Sequence, residues 1–152
     1  RQMCIRDRLA GDEPVLVAYG DCLSDIDIQE MVESHRRQQS LATVAIAHPT
    51  GRNEILALNE QGCYTGTKQG KKQKHSWVNA CSMVLEARAF DYLKENQENH
   101  FALSLMDCLA AHEPVQTYRH EGFWSPVETI RDKTLMENLW AQHKAPWKVW
   151  ED

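Results

Sequence analysis

The strongest constraint on this chain is a change of hydrophobic period between residues 15 and 47. V-L-V-A-Y (15–19) is a short apolar run rich in valine, bounded by Pro14 and Gly20. I-Q-E-M-V-E-S-H (28–35) then spaces its apolar residues as a helix would. L-A-T-V-A-I-A (41–47) returns to an almost unbroken apolar run, stopped by Pro49 and Gly51. Short β-branched runs between Pro and Gly suit buried strands, and the middle segment suits an amphipathic helix. Strand, helix and strand within about 30 residues make a βαβ unit, which predicts that the two strands pair in parallel. Ser24 or Asp25 can cap the helix, Gln29 and Glu30 lie in its first turn, and it should end near Gln39-Ser40.

The rest of the chain continues in the same style. Glu54 to Asn59 alternates, Glu60-Gln61-Gly62 turns, and Cys63-Tyr64-Thr65 resumes, which predicts a hairpin. Trp77 to Leu85 reads as a third core strand and Glu86 to Glu95 as a helix. Phe101 to Ala111 reads as an amphipathic helix with Leu103, Met106, Leu109 and Ala110 inward. Pro114 to Arg119 reads as a strand, and Thr129 to Gln142 as a final helix with Ile130, Leu135, Leu139 and Trp140 as its apolar positions. With 152 residues, no internal repeat and no long linker, the expectation is one α/β domain over residues 9–152. Residues 1–8 (R-Q-M-C-I-R-D-R) carry three arginines, no periodicity and an internal Met3. They read as a non-native head on a chain cut from something longer.

Charge and cysteine usage remove several function classes. A net charge of −5 gives no electrostatic reason to expect a nucleic-acid partner. The one basic run, K-Q-G-K-K-Q-K (68–74), lacks interleaved aromatics and reads as a solvated loop. Five cysteines without a C-x-x-C pair suggest neither a zinc ribbon nor a disulfide framework, but reduced thiols in a cytoplasmic protein. No apolar run approaches the roughly 18 residues of a membrane span. The seven histidines include no H-x-x-x-H pair, so none is nominated as a ligand or base.

The acids of Y-G-D-C-L-S-D-I-D (19–27) are the natural site candidates. By residue type, Asp21 is either a strand-end turn residue or a metal ligand at the end of a buried strand. Asp25 and Asp27 read as cap and first-turn charges of the following helix. Asp132 reads as a partner of Arg131 or Lys133 on a solvated face, and Trp124, Trp140, Trp147 and Trp150 as packing anchors.

Four ordered segments carry a resemblance: Y-G-D-C-L-S-D-I-D-I (19–28), W-V-N (77–79), G-F-W-S-P-V-E-T-I-R-D-K (122–133) and K-A-P-W-K-V-W (144–150), with Pro49-x-Gly51-Arg52 between. In order and interval they resemble the sugar-phosphate nucleotidyltransferases, in particular glucose-1-phosphate cytidylyltransferases, over residues 14 to 150. The resemblance implies a Rossmann-like nucleotide-diphospho-sugar transferase fold with a mixed, mostly parallel sheet, lacking its N-terminal nucleotide-binding part. It implies transfer of a nucleotidyl group from CTP or another nucleoside triphosphate to glucose 1-phosphate or a similar sugar phosphate. It also implies Mg²⁺ held by Asp21 and Glu128, with Gly20, Lys68 and Asn79 in the substrate site. The K-A-P-W-K-V-W segment would pack against a neighbouring subunit of a homo-oligomer.

The departures from that pattern are specific. Glu128 stands where the family has aspartate, Cys22 where it has glycine after Y-G-D, and Ala80-Cys81 where it has two glycines after W-I-N. The family's E-K-P maps to Thr67-Lys68-Gln69, and its E-P before the late helix maps to Ser104-Leu105. Neither a glycine-rich G-G-x-G-T-R loop nor a P-K-P lysine occurs in these 152 residues. Two readings follow: an inactive piece of a catalytic enzyme, or a degenerate relative that binds or scaffolds nucleotide sugars.

Overall fold

The computed structural model describes residues 13–48, 55–68, 76–94 and 101–151. The 1–8 head, the P-x-G-R segment and most of K-Q-G-K-K-Q-K lie outside the described residues, as do the side chains of Leu103, Ser104 and Leu105. The elements are β1 (Val15–Ala18), β2 (Cys22–Ser24), α1 (Ile28–Gln38), β3 (Ala42–Ala47), β4 (Ile55–Leu58), β5 (Tyr64–Lys68) and β6 (Val78–Leu85). After a 3-10 helix (Ala87–Lys94), α2 (Phe101–Ala110), β7 (Gln116–Arg119), β8 (Trp124–Pro126) and α3 (Ile130–Ala141) follow.

The main sheet runs β1-β6-β3-β7. β6 is antiparallel to both β1 and β3, while β7 is parallel to β3. The sheet is therefore mixed, with three strands sharing one direction. The strands of the βαβ unit do run the same way, but they do not pair. β6 lies between them, so that Leu85 faces Val15 on one side and Ala42 on the other. The parallel partner of β3 is β7, with Thr43 opposite Gln116.

This insertion also corrects the expectation that V-L-V-A-Y is a core strand. β1 has β6 on one side only, and its residues alternate between half-buried and exposed, with Leu16 41% exposed. β3, with neighbours on both sides, is buried at all six positions. Its residues alternate between two cores. Val44 and Ile46 pack with Leu85, Met106 and Leu109, while Ala45 and Ala47 face α1 through Met31 and Val32. The alanines let the helix approach closely, and full burial of Met31 stabilises by about 1.5–3 kcal/mol.

α1 is capped by Asp27, whose carboxylate accepts from the Glu30 N–H at 2.9 Å. Neither Ser24 nor Asp25 is the cap. The helix closes on Gln39 in the left-handed region. On its buried face His35 bridges Thr43 Oγ1 (2.9 Å) and Glu86 Oε1 (3.1 Å), with Ser40 Oγ 3.3 Å from the same ring nitrogen as Thr43. This polar network fastens α1 to β3 and to the end of β6.

β4 and β5 form the predicted hairpin, and the segment after β6 is realised as a 3-10 helix. α3 departs from its expected pattern. Ile130 is 85% exposed, Leu135 and Trp140 are exposed too, and Met136 is its buried residue. The reason is position: α3 rests beside the C-terminal segment, where Trp147 is buried, not against the sheet. Trp124 and Trp147 are packing anchors as expected, whereas Trp140 and Trp150 are about half exposed and lie against each other at 6.3 Å. Among the described residues Asp132 forms no close ion pair with either neighbour, although the Arg131 charge acts on it. Its Oδ2 accepts from Thr129 N–H (2.9 Å) and Oγ1 (2.8 Å), closing a capping box, and Lys133 pairs with Glu137.

Candidate functional site

The candidate site forms where β1 ends. The Tyr19 N–H donates to the Cys81 carbonyl at 3.0 Å, and the chain turns through Gly20 and Asp21 into β2. β2 pairs antiparallel with β8, Cys22 opposite Pro126 and Ser24 opposite Trp124. One step further the Val127 N–H donates to the Asp21 carbonyl at 2.7 Å. This short ribbon brings Asp21 beside the Val127–Glu128 end of β8, although the two acids are a hundred residues apart in sequence. Both are exposed, and among the described residues neither pairs with Lys or Arg.

Two unneutralised carboxylates at a strand end suit a hard cation such as Mg²⁺, which takes one or two carboxylates and fills its octahedron with phosphate oxygens and water. Among the described residues no group of three or more His, Cys, Asp or Glu converges to hold a metal. Asp21 and Glu128 are the two carboxylates here that could take part in such a site. A methyl group built on Gly20 would meet nothing within 4 Å, so the fold itself does not require glycine there. The space at Gly20, next to Asp21, is open.

The third wall is a bulge in β6. The β3–β6 register slips between Val44, opposite Met83, and Ile46, opposite Asn79. The extra residues include Cys81, which is left-handed at φ 64°. A non-glycine residue in that region costs about 1–2 kcal/mol. Asn79 supports it, its Oδ1 accepting from the Cys81 N–H at 2.8 Å. That leaves the Asn79 amide NH₂, with Met106 Sδ at 3.9 Å, as the group able to donate to a ligand.

The Cys22 Sγ lies 3.8 Å from Asp21 Oδ1. Hydrogen bonding to Cys81 is the main cause pushing the Cys22 thiol up, with burial and the neighbouring charges adding. The same hydrogen bond holds Cys81 below the ordinary thiol value, against burial and the charges of Asp21 and Glu128. Both carboxylates thus act on one sulfur. Burial, then Cys81 and Asp21, raise the Tyr19 hydroxyl.

The structure brings together Gly20, Asp21 and Glu128, and sets Asn79 two residues from Cys81. Lys68 is elsewhere. It is exposed at the end of β5, opposite Ile55, on a hairpin joined to β6 through the Leu56 N–H and the Trp77 carbonyl (2.8 Å). It makes no ion pair with Asp21 or Glu128 among the described residues. A cavity of about 450 Å³ lined by Met136, Glu137, Trp140 and Trp147 lies under α3, apart from the carboxylates.

Sequence reading missed a support behind the ribbon. His120 Nε2 lies 3.0 Å from the Phe123 carbonyl and 2.9 Å from Asp25 Oδ1. The ring nitrogen is aimed at the carbonyl, so Asp25 Oδ1 is buried without an aligned donor. The Asp25 N–H in turn donates to the Phe123 carbonyl at 3.1 Å. Gly122 makes the approach possible, since a methyl group there would sit 2.5 Å from Asp25 Oδ1 and 2.8 Å from His120 Cε1. The glycine of G-F-W was the available signal: it marks close packing, not a turn.

The fold defines the class first. The chain has the fold of the sugar-nucleotide pyrophosphorylases. It superposes on a Bacillus anthracis protein described as a glucose-1-phosphate thymidylyltransferase, solved with sucrose, with a TM-score of 0.74 and 15% identity over 98% of this chain and 60% of that one. A UDP-glucose pyrophosphorylase complexed with UDP-glucose gives a TM-score of 0.69 and 15% identity over 90% of this chain and 59% of that one. In sequence the chain is similar to a glucose-1-phosphate cytidylyltransferase of Salmonella typhi, 30% identical over 147 residues. That match covers 97% of this chain and 56% of the relative. A Bacillus subtilis protein described as the same enzyme is 28% identical over 140 residues, covering 92% of this chain and 54% of its own length. The chain thus spans about half the length of the curated relatives it matches, within their C-terminal part. No protein-family model matches it. The resemblance carried by the four motifs is borne out.

Proposed function

We propose that this chain is the metal- and sugar-binding portion of a cytoplasmic sugar-1-phosphate nucleotidyltransferase, making CDP-glucose and pyrophosphate from CTP and glucose 1-phosphate. The observation that carries the reading is the β2–β8 ribbon, which sets Asp21 and Glu128 at one strand end with open space beside Gly20. In the reaction a phosphate oxygen of the sugar phosphate attacks the α-phosphorus, and the α–β bridging bond breaks to release pyrophosphate. The nucleophile is already an anion, so the protein's work is positioning and charge neutralisation.

Asp21 and Glu128 would hold Mg²⁺, which when bound offsets phosphate charge. The Asn79 NH₂ donates to a sugar hydroxyl, its oxygen being engaged by Cys81. Lys68 reaches the sugar phosphate from the β4–β5 hairpin. Glu128 is one methylene longer than aspartate and would shift a bound cation by about a C–C bond length, in a geometry sensitive to about 1 Å. The exposed Val149 and Trp150 of the C-terminal segment support a homo-oligomer, which sedimentation velocity would register.

The test is pyrophosphate release from CTP and glucose 1-phosphate with Mg²⁺. The 152 residues alone give none. The protein with a triphosphate-binding part attached turns over, and loses at least 100-fold on Asp21→Ala. Turnover unaffected by that substitution would remove Asp21 from the site. A second reading, a non-catalytic nucleotide-sugar binder, is favoured by Cys81, whose side chain occupies a left-handed position beside the carboxylates. Binding of CDP-glucose without turnover by the longer protein would select it.

A further inference from the structure

We infer that His120 is a positioning residue for the two carboxylates: it latches the β2–β8 ribbon to the main sheet and so sets where Asp21 and Glu128 stand. β2 and β8 have three residues each and form a sheet of their own. A two-stranded ribbon is marginal by itself, so its orientation must come from contacts at its ends. β2 is tied to β6 just ahead of Asp21, where the Tyr19 N–H donates to the Cys81 carbonyl at 3.0 Å. His120 ties β8. It follows β7 directly, and its N–H extends the parallel register by donating to the Ile46 carbonyl at 2.8 Å. Its ring reaches the ribbon, with Nε2 3.0 Å from the Phe123 carbonyl. A carbonyl only accepts, so Nε2 carries the hydrogen. The same carbonyl receives the Asp25 N–H at 3.1 Å, so one acceptor joins the main sheet, β2 and β8. His120 is buried, where little water can compete for that carbonyl.

The latch acts at a distance from the acids. Asp21 lies four residues before Asp25, and Val127 four residues after Phe123. At about 3.3 Å per residue the carboxylate end stands about 13 Å from the latch, so a tilt of about 5° there moves it by about 1 Å. Placement of reacting phosphate groups is sensitive to about that distance. Loss of the latch therefore disturbs the pair without removing either acid. The bearing on a cation rests on the metal reading of Asp21 and Glu128; the latch does not.

The 152-residue protein is compared with its His120→Leu, His120→Asn, His120→Gln and His35→Ala variants by amide hydrogen exchange and by Mn²⁺ titration followed by NMR. In His120→Leu the Val127 amide should exchange severalfold faster. The Mn²⁺ dissociation constant, read from broadening of the Asp21 and Val127 amide signals, should rise severalfold. His120→Asn, whose amide stops short of the Phe123 carbonyl, carries the same expectation and serves if the leucine variant does not fold. His120→Gln, whose longer amide can donate there, should restore both values. His35→Ala lowers stability at the α1–β3 contact without touching the ribbon, and its Mn²⁺ affinity should match the parent's. Unchanged Mn²⁺ affinity in His120→Leu and His120→Asn overturns the inference, whatever the exchange rate, since the acids would then not have moved. An equal loss of affinity in His35→Ala overturns it too. If the parent shows no Mn²⁺ broadening, the metal reading falls and Val127 exchange alone decides the latch: faster exchange in His120→Leu keeps it, and equal exchange removes it.

Discussion

Gly122→Ala isolates the packing behind the carboxylate ribbon. The new methyl group would lie 2.5 and 3.0 Å from the Asp25 oxygens and 2.8 Å from His120 Cε1, all inside van der Waals contact. Neither neighbour retreats freely. His120 is 8% exposed, its N–H donates to the Ile46 carbonyl at 2.8 Å, and its ring is held at the Phe123 carbonyl. Overpacking of this kind costs about 1–3 kcal/mol. Driving Asp25 from its 2.9 Å contact with His120 adds about 1 kcal/mol. The reduced chain entropy of alanine returns about 0.4–1 kcal/mol, leaving a net loss of about 1–3.5 kcal/mol. For a chain of this size that lowers Tm by about 2–14 °C, read by calorimetry or by circular dichroism at 222 nm. Gly20→Ala is the control, since its methyl group meets nothing and Tm should hold or rise slightly. Adding Asp25→Ala to Gly122→Ala removes one wall of the clash, so the double variant should be more stable than the sum of the single effects. A Gly122→Ala protein as stable as the parent, or strict additivity in the double variant, would refute the packing role.

Other outcomes follow from the same contacts. His35→Ala leaves a cavity and deprives Ser40, Thr43 and Glu86 of their shared partner, and should cost about 2–4 kcal/mol in urea unfolding. Cys81→Gly should shift stability by less than about 1 kcal/mol, because relief of the left-handed backbone and the greater freedom of the unfolded glycine oppose each other. Asp132, held below the ordinary carboxylate value by the Thr129 hydroxyl and backbone N–H groups, makes its cap above about pH 4, the unfolded value. Its folded value is the lower one, so the stabilisation is lost as pH falls through the acid range. The amide shifts of Thr129 and Asp132 should follow that loss, and Asp132→Asn should abolish the pH dependence.

Much of the architecture was legible because local signals set it. Helical spacing over 28–35 and the apolar run at 41–47 mark α1 and β3 almost to the residue, and Thr129 with Gln142 brackets α3. Strand pairing was not legible. Nothing in V-L-V-A-Y or L-A-T-V-A-I-A says that a third strand will lie between them, since β6 is fixed by contacts distant in sequence. β2 and β8 are three residues each, too short for a period-two pattern, yet they assemble the site. Asp21 and Glu128 were found through motifs and their meeting through the ribbon. The left-handed Cys81 had no local signal, because cysteine does not mark a positive φ as glycine does.

The central place of β6 has a consequence for how the chain folds. β1 must find its hydrogen-bonding partner across the intervening helix, strand and hairpin, because Val15 pairs with Leu85. Contacts so distant in sequence slow folding. Until β6 docks, β1 and β3 each present an unpaired edge to other chains. The turn bearing Asp21 gains its Cys81 anchor at that same moment, so it is among the last features to form and among the first exposed when the sheet opens. Misassembly and loss of the site should therefore share one step, the seating of a single strand.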